Sequence, residues 1–195
     1  RTGEIFLEKP SVADERRNVL HYLENVFPVA LPWADARLKA AWRRAGFDAA
    51  GLHETLPSLR FGDWVGGDRD GHPFVEAETT AETLQLFRSR ALRLLRERLA
   101  TLGAGLSLSA RRQAAPADFA RWIETRAAEL GQAGEAALAR NADEPWRQAV
   151  NLMTAALPPD EGTAPDGAYP NAAALTADLR RLSAALDAVG AGRIA

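Results

Sequence analysis

The densest concentration of chemistry in this chain is residues 60–73, Arg60-Phe61-Gly62-Asp63-Trp64-Val65-Gly66-Gly67-Asp68-Arg69-Asp70-Gly71-His72-Pro73. Arg69 stands between Asp68 and Asp70, so its planar fork of donors can be held by carboxylates while the loop faces a pocket. Gly66-Gly67 removes side chains where the backbone must turn sharply or approach something closely. Asp70-Gly71 makes a turn, and Pro73 holds His72 in extended backbone. Phe61, Trp64 and Val65 are predicted as a short buried strand or its end. Spacing excludes two sharper chemistries. A phosphate-cradling loop needs Lys and Ser/Thr after its last glycine, where His72-Pro73 stands. A calcium loop with Asp68, Asp70 and Gly71 at its third, fifth and sixth positions would put Gly66 first and Ala77 twelfth, where carboxylates are required. The residues alone leave two readings open, a self-satisfied surface turn and a rigid pocket wall.

Other candidates carry less. His21 and His53 lack a Cys, His or acidic partner at ligand spacing and are read as polar-face or loop histidines. Arg88, Arg90, Arg93 and Arg96 line one side of a helical stretch, but Glu82 and Glu97 accompany them, which is the pattern of a solvated face.

The elements that must position the glycine loop are helical. Ser11 caps a helix whose first turn holds Asp14 and Glu15. Its apolar positions Val19, Leu20, Leu23, Val26 and Phe27 lead to Pro28 and Pro32, predicted to kink or interrupt it before Trp33 to Ala45 resumes and Gly46 stops it. After the loop, a helix over about 77–102 is predicted to bury Leu84, Phe87, Ala91, Leu94, Leu95, Arg98 and Leu99 as one wide stripe. Gly103 and Gly105 close it. Pro116 and Asp118 open an amphipathic run through Phe119, Trp122, Ile123, Ala127 and Leu130, weakened at Gly131 and Gly134 but continued by Leu138. Asp143-Glu144-Pro145 starts a helix carrying Trp146, Val150, Met153 and Leu157. The Pro-, Gly- and acid-rich stretch 158–167 reads as a flexible loop, and Asn171 caps a last helix with Leu175, Leu179, Leu182 and Leu186 on one face, ended by Gly190 and Gly192. The fold class is mainly α, a bundle-like helical layer with one short strand, organised as a single segment over 1–195.

Composition bounds the function. A chain of 195 residues that is 47% hydrophobic can bury a core. No apolar stretch approaches the ~20 residues of a membrane span. A formal charge of -2, with no long Lys/Arg run, argues against nucleic acid as a partner. Zero cysteines exclude disulfides and thiolate metal sites and fit a reducing cytoplasm. The chain begins Arg1-Thr2 and has its one methionine at Met153, so it reads as cut from something longer.

The run from Trp64 to Pro73 resembles the Trp-Met/Ile-Gly-Gly-Asp-Arg-Asp-Gly-Asn-Pro segment of phosphoenolpyruvate carboxylases. Thr2-Gly3-Glu4-Ile5 with Pro10-Ser11 and Asp14-Glu15, Leu106-Ser107-Leu108-Ser109, Glu144-Pro145-Trp146-Arg147 and Gly192-Arg193-Ile194-Ala195 are similar to family segments in the same order. The resemblance spans the chain and covers an internal piece of the N-terminal half of a much longer enzyme. It implies a mostly helical protein around a (β/α)8-type barrel with many extra helices, a homo-oligomer that converts phosphoenolpyruvate and bicarbonate to oxaloacetate and phosphate with Mg²⁺ or Mn²⁺. By resemblance, Trp64 walls the CO₂/bicarbonate pocket, and Gly66, Gly67, Asp68, Arg69 and Asp70 shape that wall. No catalytic residue and no metal ligand is expected in this segment, because the family's catalytic histidine lies upstream and its metal carboxylates, catalytic lysine and Arg-Gly-Gly loop lie downstream. The chain departs from the family at His72, in place of the loop's Asn. It departs at Phe6, where many relatives carry an arginine tied to an activating sugar phosphate, and at Glu76-Ala77, in place of Thr-Pro. The alternative to a carboxylase segment, inactive alone, is a free-standing helical binding or assembly module built on the same scaffold.

Overall fold

Ser11 starts the first helix through a reciprocal pair of hydrogen bonds. In the computed structural model, which describes residues 10–48, 59, 61–69, 75–160 and 162–191, the Asp14 N–H donates to Ser11 Oγ at 3.2 Å and the Ser11 N–H donates to Asp14 Oδ2 at 3.2 Å. This capping box satisfies two donors that the helix itself leaves over. The bonds from Ser11, with Arg17 beside it, hold the Asp14 carboxyl below its usual range. The chain divides into two compact units, Arg1–Arg90 and Ala91–Ala195.

In the first unit α1 (Val12–His21) does not stop at the prolines. It passes through a single π turn, Tyr22–Val26, into α2 (Phe27–Arg44). The Phe27 N–H donates to the carbonyl of Tyr22, five residues back. That widening of the ladder comes just before Pro28, which has no N–H and whose ring crowds the preceding turn, and Pro28 then sits in the first turn of α2 where proline is tolerated. Pro32 lies inside α2 without ending it, so the predicted interruption is replaced by the π turn. Gly46, at φ +79°, stops α2 as expected. Its N–H donates to Arg43 and that of Phe47 to Trp42, and the Trp42 and Phe47 rings meet at 4.7 Å, a Schellman end with its hydrophobic contact.

α3 (Ala77–Gly105) runs a little past its predicted end. Its buried apolar positions are Leu92 and Leu99, whereas Leu84 is 64% exposed and Ala91, Leu95 and Arg98 are exposed too. The predicted stripe is therefore rotated. Leucines stand on more than one side of α3, and spacing alone could not choose which side faces the core.

The second unit holds the main core. α4 (Ala117–Glu129), α5 (Gln132–Ala139), α6 (Pro145–Ala155) and α7 (Ala172–Ala188) enclose Phe119, Ile123, Ala127, Leu130, Trp146, Val150, Met153, Leu175, Leu182 and Leu186, nearly all positions that the periodicity assigned inward. Phe119 stacks on Trp146 at 5.2 Å and on Trp122 at 5.4 Å. Gly131, at φ +54°, breaks the run that the sequence reads as one weakened helix. Gly134 then lets α5 lie on the backbone of α4, where an added Cβ would stand 2.7 Å from Ala127 Cα.

Two of the segments that carry the family resemblance meet here. Ser107 Oγ donates to Glu144 Oε1 at 2.7 Å, and Arg147 and Asn141 donate to Oε2. These bonds, Ser107's first, hold the Glu144 carboxyl below its usual range. Within 158–167, Arg96 donates to the Pro158 carbonyl at 2.8 Å and to Asp160 at 3.0 Å, so that arginine serves the fold. Burial and the bond to Asp178 push the Tyr169 phenol above its usual range. Asn171 caps α7 through Ala174 N–H at 3.1 Å, as predicted. Thr2 to Phe6, His53, His72 and the Gly192–Ala195 segment lie outside the described residues.

These contacts rank substitutions. Phe119→Ala should lower unfolding stability by about 3–5 kcal/mol, while Leu84→Ala should stay within about 0.5 kcal/mol, compared by urea denaturation. Equal losses would mean that α3 presents its other side to the core.

Candidate functional site

The glycine loop is built as a turn, not a strand. Asp63 Oδ1 accepts the Val65 N–H at 3.0 Å, and the Trp64 carbonyl accepts from both Gly67 (2.9 Å) and Asp68 (3.0 Å). Gly66 sits at φ +74°, a conformation that carries a strand out of line and that residues with a side chain rarely adopt. The predicted short strand at Phe61, Trp64 and Val65 is thereby corrected: among the described residues there is no strand for it to pair with, and the backbone N–H groups of Gly67 and Asp68 donate back to the Trp64 carbonyl instead. Burial was also overestimated. Phe61 is half exposed and stacks on Phe27 at 4.2 Å, while the Trp64 indole is 77% exposed.

What anchors the turn is the start of α3. Thr80 Oγ1 donates to the Gly66 carbonyl at 2.6 Å. Gly66 itself is buried against Thr83, so closely that a Cβ on it would stand 2.9 Å from Thr83 Cβ and closer still to Oγ1. Thr83 is 2% exposed, the buried polar side chain among the described residues. Its hydroxyl donates to the Thr79 carbonyl at 2.7 Å and accepts from Arg16 Nη1 at 3.4 Å, with Glu82 3.7 Å from the same guanidinium nitrogen. The turn, α3 and α1 thus share one clasp. Sequence reasoning passed over Thr80, Thr83 and Arg16. The available signal was the pair of threonines three apart, which places both hydroxyls on one face of the helix that follows the loop.

Of the expected wall residues, Trp64, Gly66, Gly67, Asp68 and Arg69 are brought together on this turn, with Gly67, Asp68 and Arg69 exposed beside the indole. Asp70 lies outside the described residues, and with it one side of the expected Asp68–Arg69–Asp70 clamp. The arrangement offers a rigidly mounted apolar plane flanked by a bare Gly-Gly backbone. Such a surface can exclude water and shape a cavity. Among the described residues no three His, Asp or Glu side chains converge as metal ligands. His21 is exposed; its Nδ1 lies 3.5 Å from Asn25 Nδ2 and its ring stands edge-on to Tyr22 at 5.7 Å.

The turn geometry makes Gly66 and Gly67 unequal. Gly66→Ala combines a strained φ with overlap on Thr83 and should cost about 1–3 kcal/mol. It should also speed amide exchange at Gly67 and Asp68. Gly67→Ala, whose Cβ would meet only the Trp64 carbonyl at 3.6 Å, should leave exchange unchanged. Hydrogen exchange of the 61–69 segment compares the two.

Comparison with known proteins gives this turn its context. The family model for phosphoenolpyruvate carboxylase matches residues 1–195. A phosphoenolpyruvate carboxylase of Methylorubrum extorquens is 34% identical over 199 residues, covering 100% of this chain and 21% of the relative. Those of Nocardia farcinica and Thermus thermophilus are each 34% identical across 100% of this chain, which spans 21% and 20% of their lengths. No solved structure matches the chain. The chain spans about a fifth of the length of the curated relatives it matches. The family model covers residues 1–195, and this chain therefore belongs to the phosphoenolpyruvate carboxylase family.

Proposed function

We propose that this chain works as one segment of a phosphoenolpyruvate carboxylase, a carbon–carbon lyase, and that its glycine turn forms a wall of the pocket that holds CO₂ and bicarbonate. The observation that carries the reading is the exposed Trp64 indole on a turn fixed to α3 through Gly66, in a chain that matches the family throughout. In the carboxylase reaction bicarbonate oxygen attacks the phosphorus of phosphoenolpyruvate, giving carboxyphosphate and an enolate. Carboxyphosphate then releases CO₂ and phosphate, and the enolate carbon adds to CO₂ to give oxaloacetate. CO₂ carries no charge and is lost if water protonates the enolate first, so the step needs a dry, closely fitting enclosure.

Trp64 suits that task because an indole offers a broad apolar face and a single N–H donor. Gly66 and Gly67 leave the space beside it open to backbone approach, and Asp68, Arg69 and Asp70 shape its polar rim. Mg²⁺ or Mn²⁺ supplies Lewis-acid stabilisation of the developing charges when bound. By the family resemblance its ligands are assigned to other parts of the carboxylase. The remaining apolar exposure fits the same reading. Among the described residues, Tyr22, Val29, Trp33, Leu38, Phe47, Leu59, Phe61, Trp64 and Leu84 of the first unit and Leu95 of the second are large apolar side chains left exposed, as expected where a helical layer packs against a (β/α)8-type barrel and other protomers of a homo-oligomer.

Two measurements test this. The 195-residue chain alone, given phosphoenolpyruvate, bicarbonate and Mg²⁺, should form no oxaloacetate; turnover would favour a self-sufficient module. In the full-length carboxylase, Trp64→Ala should raise the bicarbonate KM about tenfold while the phosphoenolpyruvate KM stays within about twofold. A bicarbonate dependence equal to wild type would remove Trp64 from the pocket.

A further inference from the structure

Five helical threonines among the described residues share one habit, and Thr80 departs from it. Thr83, Thr101, Thr125, Thr154 and Thr176 each donate to the carbonyl four residues back in their own helix, at 2.7 to 3.0 Å. That local bond is the usual fate of a helical threonine hydroxyl. Thr80 has the same carbonyl available at Glu76, but at 3.3 Å, and its short bond of 2.6 Å goes to Gly66, outside the helix. A hydroxyl has one proton to give, and the geometry assigns it to the turn.

We infer that Thr80 is a positioning residue for Trp64: its hydroxyl fixes the Gly66 carbonyl, and Thr83 beneath Gly66 is the stop against which the turn is held. The inference rests on the reading of Trp64 as a pocket wall. The physical need is plain from the local sequence. Gly66-Gly67 has the widest backbone freedom of any dipeptide, and a turn hinged there would let the indole swing. The Gly66 carbonyl belongs to the peptide plane joining those two glycines, so a bond to it removes the torsion that matters most. The double acceptance at the Trp64 carbonyl, from Gly67 and Asp68, then carries the constraint back to the residue bearing the indole. Arg16 extends the clasp to α1 by donating to Thr83. Together these bonds fix the backbone that carries an exposed indole.

The test uses the full-length carboxylase with Thr80→Val, which keeps the shape and removes the donor, and Thr80→Ser, which keeps the donor. Thr80→Val should raise amide exchange across residues 63–69 by about three- to tenfold, the worth of one net hydrogen bond, and raise the bicarbonate KM by a similar factor with the phosphoenolpyruvate KM nearly unchanged. Thr80→Ser should return both to wild type, which a role in mere packing would not produce. Thr80→Ala, read by the same criteria, stands in if the valine variant does not fold. Failure of both to fold would overturn the inference in favour of a plain structural role. Unchanged exchange in the donor-less variants, or a serine variant that behaves like valine, overturns it as well. The two readings fail separately. Raised exchange with a normal bicarbonate KM in Thr80→Val, beside a raised one in Trp64→Ala, sinks the positioning role alone. A normal bicarbonate KM in Trp64→Ala sinks the pocket wall, and exchange then still decides the clasp.

Discussion

The absence of a side chain at closely packed glycines sets how near this backbone comes to its neighbours, and both units use it. In the first unit Gly66 lies on Thr83 with no room for a Cβ; in the second, Gly134 lies on the backbone of Ala127 in the same way. At Gly134 the close approach seats a short helix of small residues on α4 and joins the surrounding core. At Gly66 it seats a turn that adds almost nothing to a core, since its neighbours Gly67, Asp68 and Arg69 are exposed and Trp64 points outward. The same device stabilises packing in one place and fixes a position in the other.

The two units differ in how they treat apolar surface. The second closes around Phe119, Trp146, Met153 and the leucines of α7, and ties its connections with Arg96, Glu144 and Tyr169. Among the described residues, the first buries the hydrophobic residues Leu20 and Val75 while leaving Val29 and Trp33 more than half exposed on α2. Burial of apolar area is the main favourable term in folding, and among the described residues most of it lies in the second unit. The first is held to a larger degree by directed bonds: the Ser11 box, the Schellman end at Gly46 and the threonine clasp. Directed bonds fix orientation well and contribute little net energy each.

What was legible in the sequence follows from that division. Ser11 and Asn171 announced their helices because capping is a local contest between one side chain and nearby N–H groups. Phe119, Ile123, Trp146, Val150, Met153, Leu175 and Leu182 announced the core because their helices are apolar on one side only. α3 misled because its leucines are not confined to one side, and the buried set, Leu92 and Leu99, is chosen by neighbours far along the chain. Trp64 and Phe61 looked like strand residues because large apolar side chains are often buried, a rule that runs one way only, since folded surfaces also carry apolar side chains. The clasp was hidden for a third reason. Thr80 and Gly66 are fourteen residues apart, a separation at which no periodicity operates, and the π turn before Pro28 depends on a ladder adjustment that composition does not encode.

The mounting of Trp64 also bears on how its exposure is to be understood. An exposed indole on a loose loop would be unremarked surface, since single apolar residues on surfaces need no explanation. Here the loop is not loose. A left-handed Gly66, a threonine proton drawn away from its own helix and a buried Thr83 hydroxyl reached by Arg16 from α1 all act on the few residues around that ring. Each of those features restricts motion, and the left-handed turn also narrows the residues that can stand at Gly66. None of them brings the indole into the core of its own unit. Constraint without burial makes sense when what matters is where the side chain stands relative to something else, and that is the property a pocket wall requires.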